Sequence, residues 1–221
     1  MRYDPQKHHR RSIRLKGYDY SQPGAYFVTI VSQDRECLFG DVVDGEMRMN
    51  DAGRMVQKWW AELNRKFPVV QTDEYIVMPN HFHGIIAIVN EPVGADLRVR
   101  PNETGAHRGQ LGAHHDQLGA HIGAPLPKIV QWFKTMTTNE YIRHVKNDGW
   151  PTYRGRLWQR NYYEHIIRNE KSLNRIREYI INNPLQWELD RENPNVRETM
   201  EAPDIGRPRG VAPTGNEPWR I

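Results

Sequence analysis

From Ala25 to Ser32 the chain reads AYFVTIVS, a run of aromatic and β-branched residues that predicts a strand. After it, FGDVVDGEMRMN alternates around Asp44-Gly45, a pair that favours the tight turn of a hairpin. Asn50 or Asp51 then caps a helix whose apolar positions, Met55, Val56, Trp59, Trp60 and Leu63, recur at helical spacing until Pro68 stops it. Val69–Met78 and Phe82–Val89 predict two more strands, joined through Pro79-Asn80 as an antiparallel hairpin.

The pattern lapses over 90–126. There glycine and histidine dominate, and a seven-residue unit recurs as GAHRGQL, GAHHDQL and GAHIGAP. Seven is the heptad length, but one leucine per copy beside Gly-Ala cannot form a coiled-coil seam. The stretch reads as a flexible insertion rather than a metal-binding tract. Periodicity returns in KIVQWFKTMTTNEYIRHV, a helix with Ile129, Val130, Phe133, Met136 and Tyr141 on one face. LWQRNYYEHIIR reads as a strand, and Lys171–Asn183 as a helix ended by Pro184. Beyond Arg191, prolines and glycines among polar residues predict a disordered tail over 191–221.

The resulting order is strand, helix, strand, strand, helix, strand, and a late helix. It is the α+β, ferredoxin-like order: a four-stranded antiparallel sheet with helices on one face, followed by an extra helix. The ordered domain is expected over 25–190, after a separate basic segment at 1–24.

Composition sharpens this picture. Of 221 residues only 38% are hydrophobic and 26% are charged, which fits tails and an insertion flanking a normal core. The net charge is +4, but Arg2, Lys7, Arg10, Arg11, Arg14 and Lys16 crowd the first sixteen residues. Such a cluster suits a phosphate backbone, with Arg10, Arg11, Arg14 and Lys16 as the contacts. Tyr18, Tyr20, Trp132 and Trp158 are candidates for base stacking. The lone Cys37 leaves no intrachain disulfide and no cysteine-based zinc site. No apolar run approaches the roughly 18 residues of a membrane span, and MRYDPQKHHRRS lacks the apolar stretch of a signal peptide. The expected location is the cytoplasm, associated with the nucleoid.

The candidate chemistry sits in MPNHFHGIIAIV. Side chains at i and i+2 of a strand share a face, so His81 and His83 project together while Phe82 turns away. Two imidazoles so placed can each lend one nitrogen to a divalent cation. On the late helix Tyr179 and Asn183 are one turn apart. At about 100° per residue, Asn183 falls between the Ile176–Ile180 stripe and Tyr179. An amide oxygen is a hard ligand suited to Mg²⁺ or Mn²⁺, and a phenol can act as a nucleophile. Tyr162 and Tyr163 are rival tyrosines, but neither has such a partner one turn on.

NHFH and the late Tyr-x-x-x-Asn resemble the HUH single-strand transposases with one catalytic tyrosine. MPNHFH, LWQRNYYEHIIRNEKSLNRIREYIINNP and RRSIRLKGYDYSQPGAYFVTI together resemble its REP-associated branch, over roughly 10–90 and 127–190. The resemblance implies His81 and His83 as metal ligands, Tyr179 as nucleophile, and Asn183 as third ligand where relatives carry glutamine. It implies cleavage and rejoining of single-stranded or hairpin DNA at palindromic repeats through a 5′-phosphotyrosine. It leaves open a monomer or a homodimer. Against it stand a non-catalytic hairpin-binding regulator on the same scaffold, a replication initiator or relaxase, and a metal-dependent hydrolase that uses water.

Overall fold

The computed structural model describes residues 18–89 and 125–199. Strand β1 (Gly24–Val31) is followed by a 3-10 turn at Gln33–Arg35 and a hairpin of β2 (Gly40–Val43) and β3 (Glu46–Met49). Helix α1 (Asp51–Lys66), strands β4 (Val70–Val77) and β5 (His81–Ile88), helix α2 (Leu126–Asn147), strand β6 (Tyr163–Ile167) and helix α3 (Glu170–Asn182) come next. A 3-10 helix at Pro184–Leu189 and helix α4 (Pro194–Thr199) complete the described chain.

The four long strands pair in the order β4-β5-β1-β6, every neighbour antiparallel. This is the ferredoxin-like sheet. The β2–β3 hairpin forms a second, two-stranded sheet. At its tip Asp44 and Gly45 both take positive φ, 54° and 76°, which is why an Asp-Gly pair serves there. Local capping sets the helix starts. Asn50 Oδ1 accepts from the Gly53 N–H at the head of α1, and Asn169 Oδ1 accepts from the Ser172 N–H at the head of α3.

Alternation divides the sheet into two faces. Tyr26, Val28 and Ile30 of β1 and Phe82 and Ile86 of β5 meet α1 and α2 in the main core, with Trp60 and Phe133. Gly84 belongs to this face. A Cβ there would come within 2.5 Å of Trp60 Cζ2, so the indole lies where a side chain would otherwise be. On the opposite face Phe27, Ile85 and Ile167 pack under Ile176 and Ile180 of α3. The late helix thus packs on the face from which His83 projects, and the 3-10 segment that follows it brings Trp187 against His81 on that face. Arg177 fastens it to β4 through two bonds to the Asp73 carboxylate, one of them Nε to Oδ1 at 2.9 Å.

Two expectations change. The strand expected over LWQRNYYEHIIR is confined to Tyr163–Ile167, with one isolated bridge between Ser32 and Trp158. Trp158 is drawn into the main core, stacked on Phe39 at 4.9 Å with its Nε1–H on Thr137 Oγ1. The segment 191–199, expected to be disordered, is folded. Asn193 is 5% exposed and its Nδ2 donates to Trp187 O. Asn80 Nδ2 donates to Glu192 O at 2.7 Å, and Arg35 Nε pairs with Glu192 Oε2 at 2.7 Å. These ties are polar, so no apolar pattern announces them. No helix among the described residues is long and apolar enough to cross a membrane.

Candidate active site

The site forms where β5 begins. His81 is its first residue and His83 its third, and both are buried, at 0% and 4% exposure. Their rings lie 4.6 Å apart between centroids. Phe27 stacks beside His83 at 5.3 Å and 26°. Burial holds both imidazoles below the ordinary histidine value of 6.5, His83 well below it, so both are neutral. For His81 the nearby Asp190 and Glu192 oppose that shift without cancelling it.

Each ring is oriented through Nδ1. Asn80 Oδ1 lies 2.9 Å from His81 Nδ1, and since an amide oxygen only accepts, this nitrogen carries the proton. Thr29 Oγ1 lies 2.8 Å from His83 Nδ1. Thr29 is the residue directly opposite His83 in the β1–β5 register. With its proton on Nδ1, His81 presents a bare Nε2 lone pair, the form in which histidine binds a metal.

Helix α3 brings Tyr179 and Asn183 to this pair. The Tyr179 hydroxyl is 3.4 Å from His83 Nε2, and its ring stands edge-on to Phe27 at 6.0 Å. Asn183 ends the helix with φ −59° and ψ −40°, and it is 2% exposed. Its backbone is fully used: the N–H donates to Ile180 O and the carbonyl accepts from the Gln186 N–H. Its side-chain Oδ1 is not. Among the described residues, Asn183 Oδ1 and His81 Nε2 are buried without a well-formed hydrogen bond, and the two side chains lie close enough that Asn183 also opposes the burial shift of His81. A buried polar atom left so costs about 1–3 kcal/mol. A divalent cation answers both, and the donor set of two neutral imidazoles and an amide oxygen suits Mn²⁺ or Mg²⁺. The residues fit the ion. No group of three or more His, Cys, Asp or Glu is gathered to hold a metal among the described residues, so the amide is what makes the set threefold.

Three further residues at the site escaped the sequence reading. Asn80 and Thr29 orient the rings. Asp190 Oδ2 approaches His81 Nε2 to 3.8 Å from the end of the 3-10 helix. Thr29 is identifiable only from the strand register, and Asp190 lies more than a hundred positions from His81. Of the expected DNA contacts, Arg10, Arg11, Arg14 and Lys16 lie outside the described residues. Tyr18 is half-buried, with its hydroxyl 3.3 Å from that of Tyr26 and its ring edge-on to Tyr20 at 4.9 Å. Tyr20 and Trp158 belong to the core, and Trp132 packs edge-on against Trp59 and Phe67. Of the rival tyrosines, Tyr163 stands edge-on to Phe27 at 6.4 Å on the site's face of the sheet.

No family model matches the chain. It is 39% identical over 192 residues to an uncharacterized protein of Haemophilus influenzae, a match spanning 86% of this chain and 96% of that protein. Among solved structures it is similar to a REP-associated tyrosine transposase bound to a REP hairpin, with a TM-score of 0.46 and 17% identity over 79% of this chain and 74% of that one.

Proposed function

We propose that this chain, which belongs to one family with the Haemophilus influenzae protein, is a transposase that cuts and rejoins single-stranded DNA with Tyr179 as its nucleophile. The observation that carries the reading is the Tyr179 hydroxyl at 3.4 Å from His83 Nε2, beside two buried polar atoms, His81 Nε2 and Asn183 Oδ1, that lack a well-formed hydrogen bond among the described residues. His81, His83 and Asn183 would hold a divalent ion, Mg²⁺ or Mn²⁺, which when bound polarises a non-bridging phosphate oxygen and steadies the phosphate.

The chain's own residues do the rest. Phe27, Ile176 and Ile180 seat α3 so that the phenol faces the imidazoles of its own subunit. Tyr179 Oη attacks phosphorus in line. A P–Oη bond forms as the P–O3′ bond breaks, the phenol proton is lost and the departing 3′-oxygen gains one. The products are a 5′-phosphotyrosine and a free 3′-hydroxyl. One phosphodiester replaces another, so a second 3′-hydroxyl can reverse the step and join a new strand without a nucleotide cofactor. The resemblance of MPNHFH and the late Tyr-x-x-x-Asn to the REP-associated branch points to hairpins of palindromic repeats as the substrate.

The test is covalent capture. Protein, Mn²⁺ and hairpin oligonucleotides labelled at either end are incubated, denatured and resolved. The 3′ label stays with the protein, the 5′ label does not, and Tyr179→Phe yields no adduct. An adduct that survives in Tyr179→Phe, or none with the wild-type chain, overturns the assignment.

A further inference from the structure

On the other face of the sheet, a cavity of about 640 Å³ opens between α2 and the loop that leads into β6. This is within the roughly 300–1,000 Å³ typical of ligand sites. Among the described residues its lining carries three cations, Lys134, Arg156 and Arg160, and no carboxylate. Tyr153 and Tyr162 supply aromatic surface. Lys134 is the informative group. It is half-buried, and its Nζ donates to two neutral acceptors, Gln159 O at 2.6 Å and Arg160 O at 3.2 Å. Among the described residues no carboxylate forms an ion pair with it. Burial and the neighbouring Arg156 lower its ammonium to about 8. A desolvated cation held without a counter-charge is costly, and its natural complement is an anion.

The groove also adjoins the candidate site through the backbone. The Gln159 N–H donates to Val31 O, and Val31 is the residue paired with His81. The Ser32 N–H donates to Asn80 O, next to the amide that orients His81. The groove therefore borders the sheet end at which Tyr179 meets the imidazoles.

We propose that this groove binds a single-stranded segment of the DNA substrate, its phosphates on Lys134, Arg156 and Arg160 and its bases against Tyr153 and Tyr162. This deepens the proposed function and rests on its reading of the substrate as DNA. Phosphate-contacting cations beside stacking rings are what sequence-tolerant binding of a single strand requires. Arg156 and Arg160 are exposed at the mouth, free to contact the strand, while Lys134 sits deeper.

The test uses the full chain in EDTA, so that no cleavage intervenes, with a fluorescein-labelled thymidine 12-mer titrated at several salt concentrations. Arg156→Glu/Arg160→Glu is expected to weaken binding at least about 10-fold and to flatten the salt slope by about 1.4, at roughly 0.7 per phosphate contact on a single strand. Lys134→Gln, which keeps an N–H donor for the two carbonyls, is expected to weaken binding as well. Arg65→Glu/Arg143→Glu makes the same charge change on exposed residues outside the groove and is expected to leave the slope near wild type. Wild-type affinity and slope in the groove variants, or an equal loss in the Arg65/Arg143 control, overturns the proposal. Covalent capture on hairpins is scored in parallel. Adducts with no groove effect would sink the groove alone, and a groove effect without adducts would sink the tyrosine chemistry alone.

Discussion

Asn183 Oδ1 and His81 Nε2 are buried and lack a well-formed hydrogen bond among the described residues, although the Asn183 side chain and the Asp190 carboxylate both lie close enough to act on His81. Such atoms destabilise a fold unless a ligand repays the desolvation, so the proposed cation would be bound at the expense of stability in its absence. The trade is measurable. Under the proposed metal assignment, replacing Asn183 by Leu, similar in volume and without the amide, should raise the melting temperature in EDTA, and Mn²⁺ should raise the melting temperature of the wild-type chain but not of the variant. A drop in EDTA would mean that the amide is satisfied in solution. Thr29 is expected to act indirectly. Thr29→Val removes the partner of His83 Nδ1 and should weaken Mn²⁺ binding about 10- to 100-fold by calorimetry, the usual effect of losing a group that orients a ligand.

Among elements, α3 matters most to the site, because it packs on the histidine face of the sheet and bears Tyr179, with Asn183 as its C-terminal cap. Its anchor titrates. The Arg177 guanidinium holds the Asp73 carboxyl below its ordinary 3.8. A carboxyl depressed in the folded state stabilises at pH values above the unfolded value, and that contribution is lost as pH falls through the folded one. The stability difference between wild type and Asp73→Asn in urea should therefore be present at pH 7 and shrink away below pH 3.8. A difference that persists in acid would show that the pair acts by packing alone. Strand β5 yields a second test. Gly84→Ala drives a methyl group into the Trp60 indole and should cost about 1–3 kcal/mol by denaturant melts. These elements are legible in the sequence because each rests on local order. Runs of aromatic, β-branched and apolar residues mark β1 and β5, Asp44-Gly45 marks the hairpin, and Asn50 marks the head of α1. The i, i+2 spacing suffices to put two imidazoles on one face. Thr29 and Asp190 are invisible by the same logic, since only strand register brings Thr29 to His83 and only the turn after α3 brings Asp190 to His81. The folded 191–199 segment is missed for a related reason: Glu192 and Asn193 are held by polar ties to Arg35, Asn80 and Trp187, which leave no apolar pattern.

At the scale of the molecule, the candidate site occupies one end of the sheet and leaves the other a quiet end. His81 opens β5, and Ile88 closes it about 23 Å away, at some 3.3 Å per residue. The borders of 90–124 both lie at the quiet end. The Val89 N–H donates to Val69 O, the Leu126 N–H donates to Tyr20 O, and Gly24 pairs with Ile88. Whatever those thirty-odd residues do, they join the domain far from Tyr179. Exchanging 90–124 for a short Gly-Ser connector should leave the melting temperature and adduct yield close to those of the full chain; loss of either would place the stretch in the working machinery. The layout offers a splice point: a reporter or a second binding module inserted between Val89 and Pro125 would join the domain at the rim opposite the candidate site.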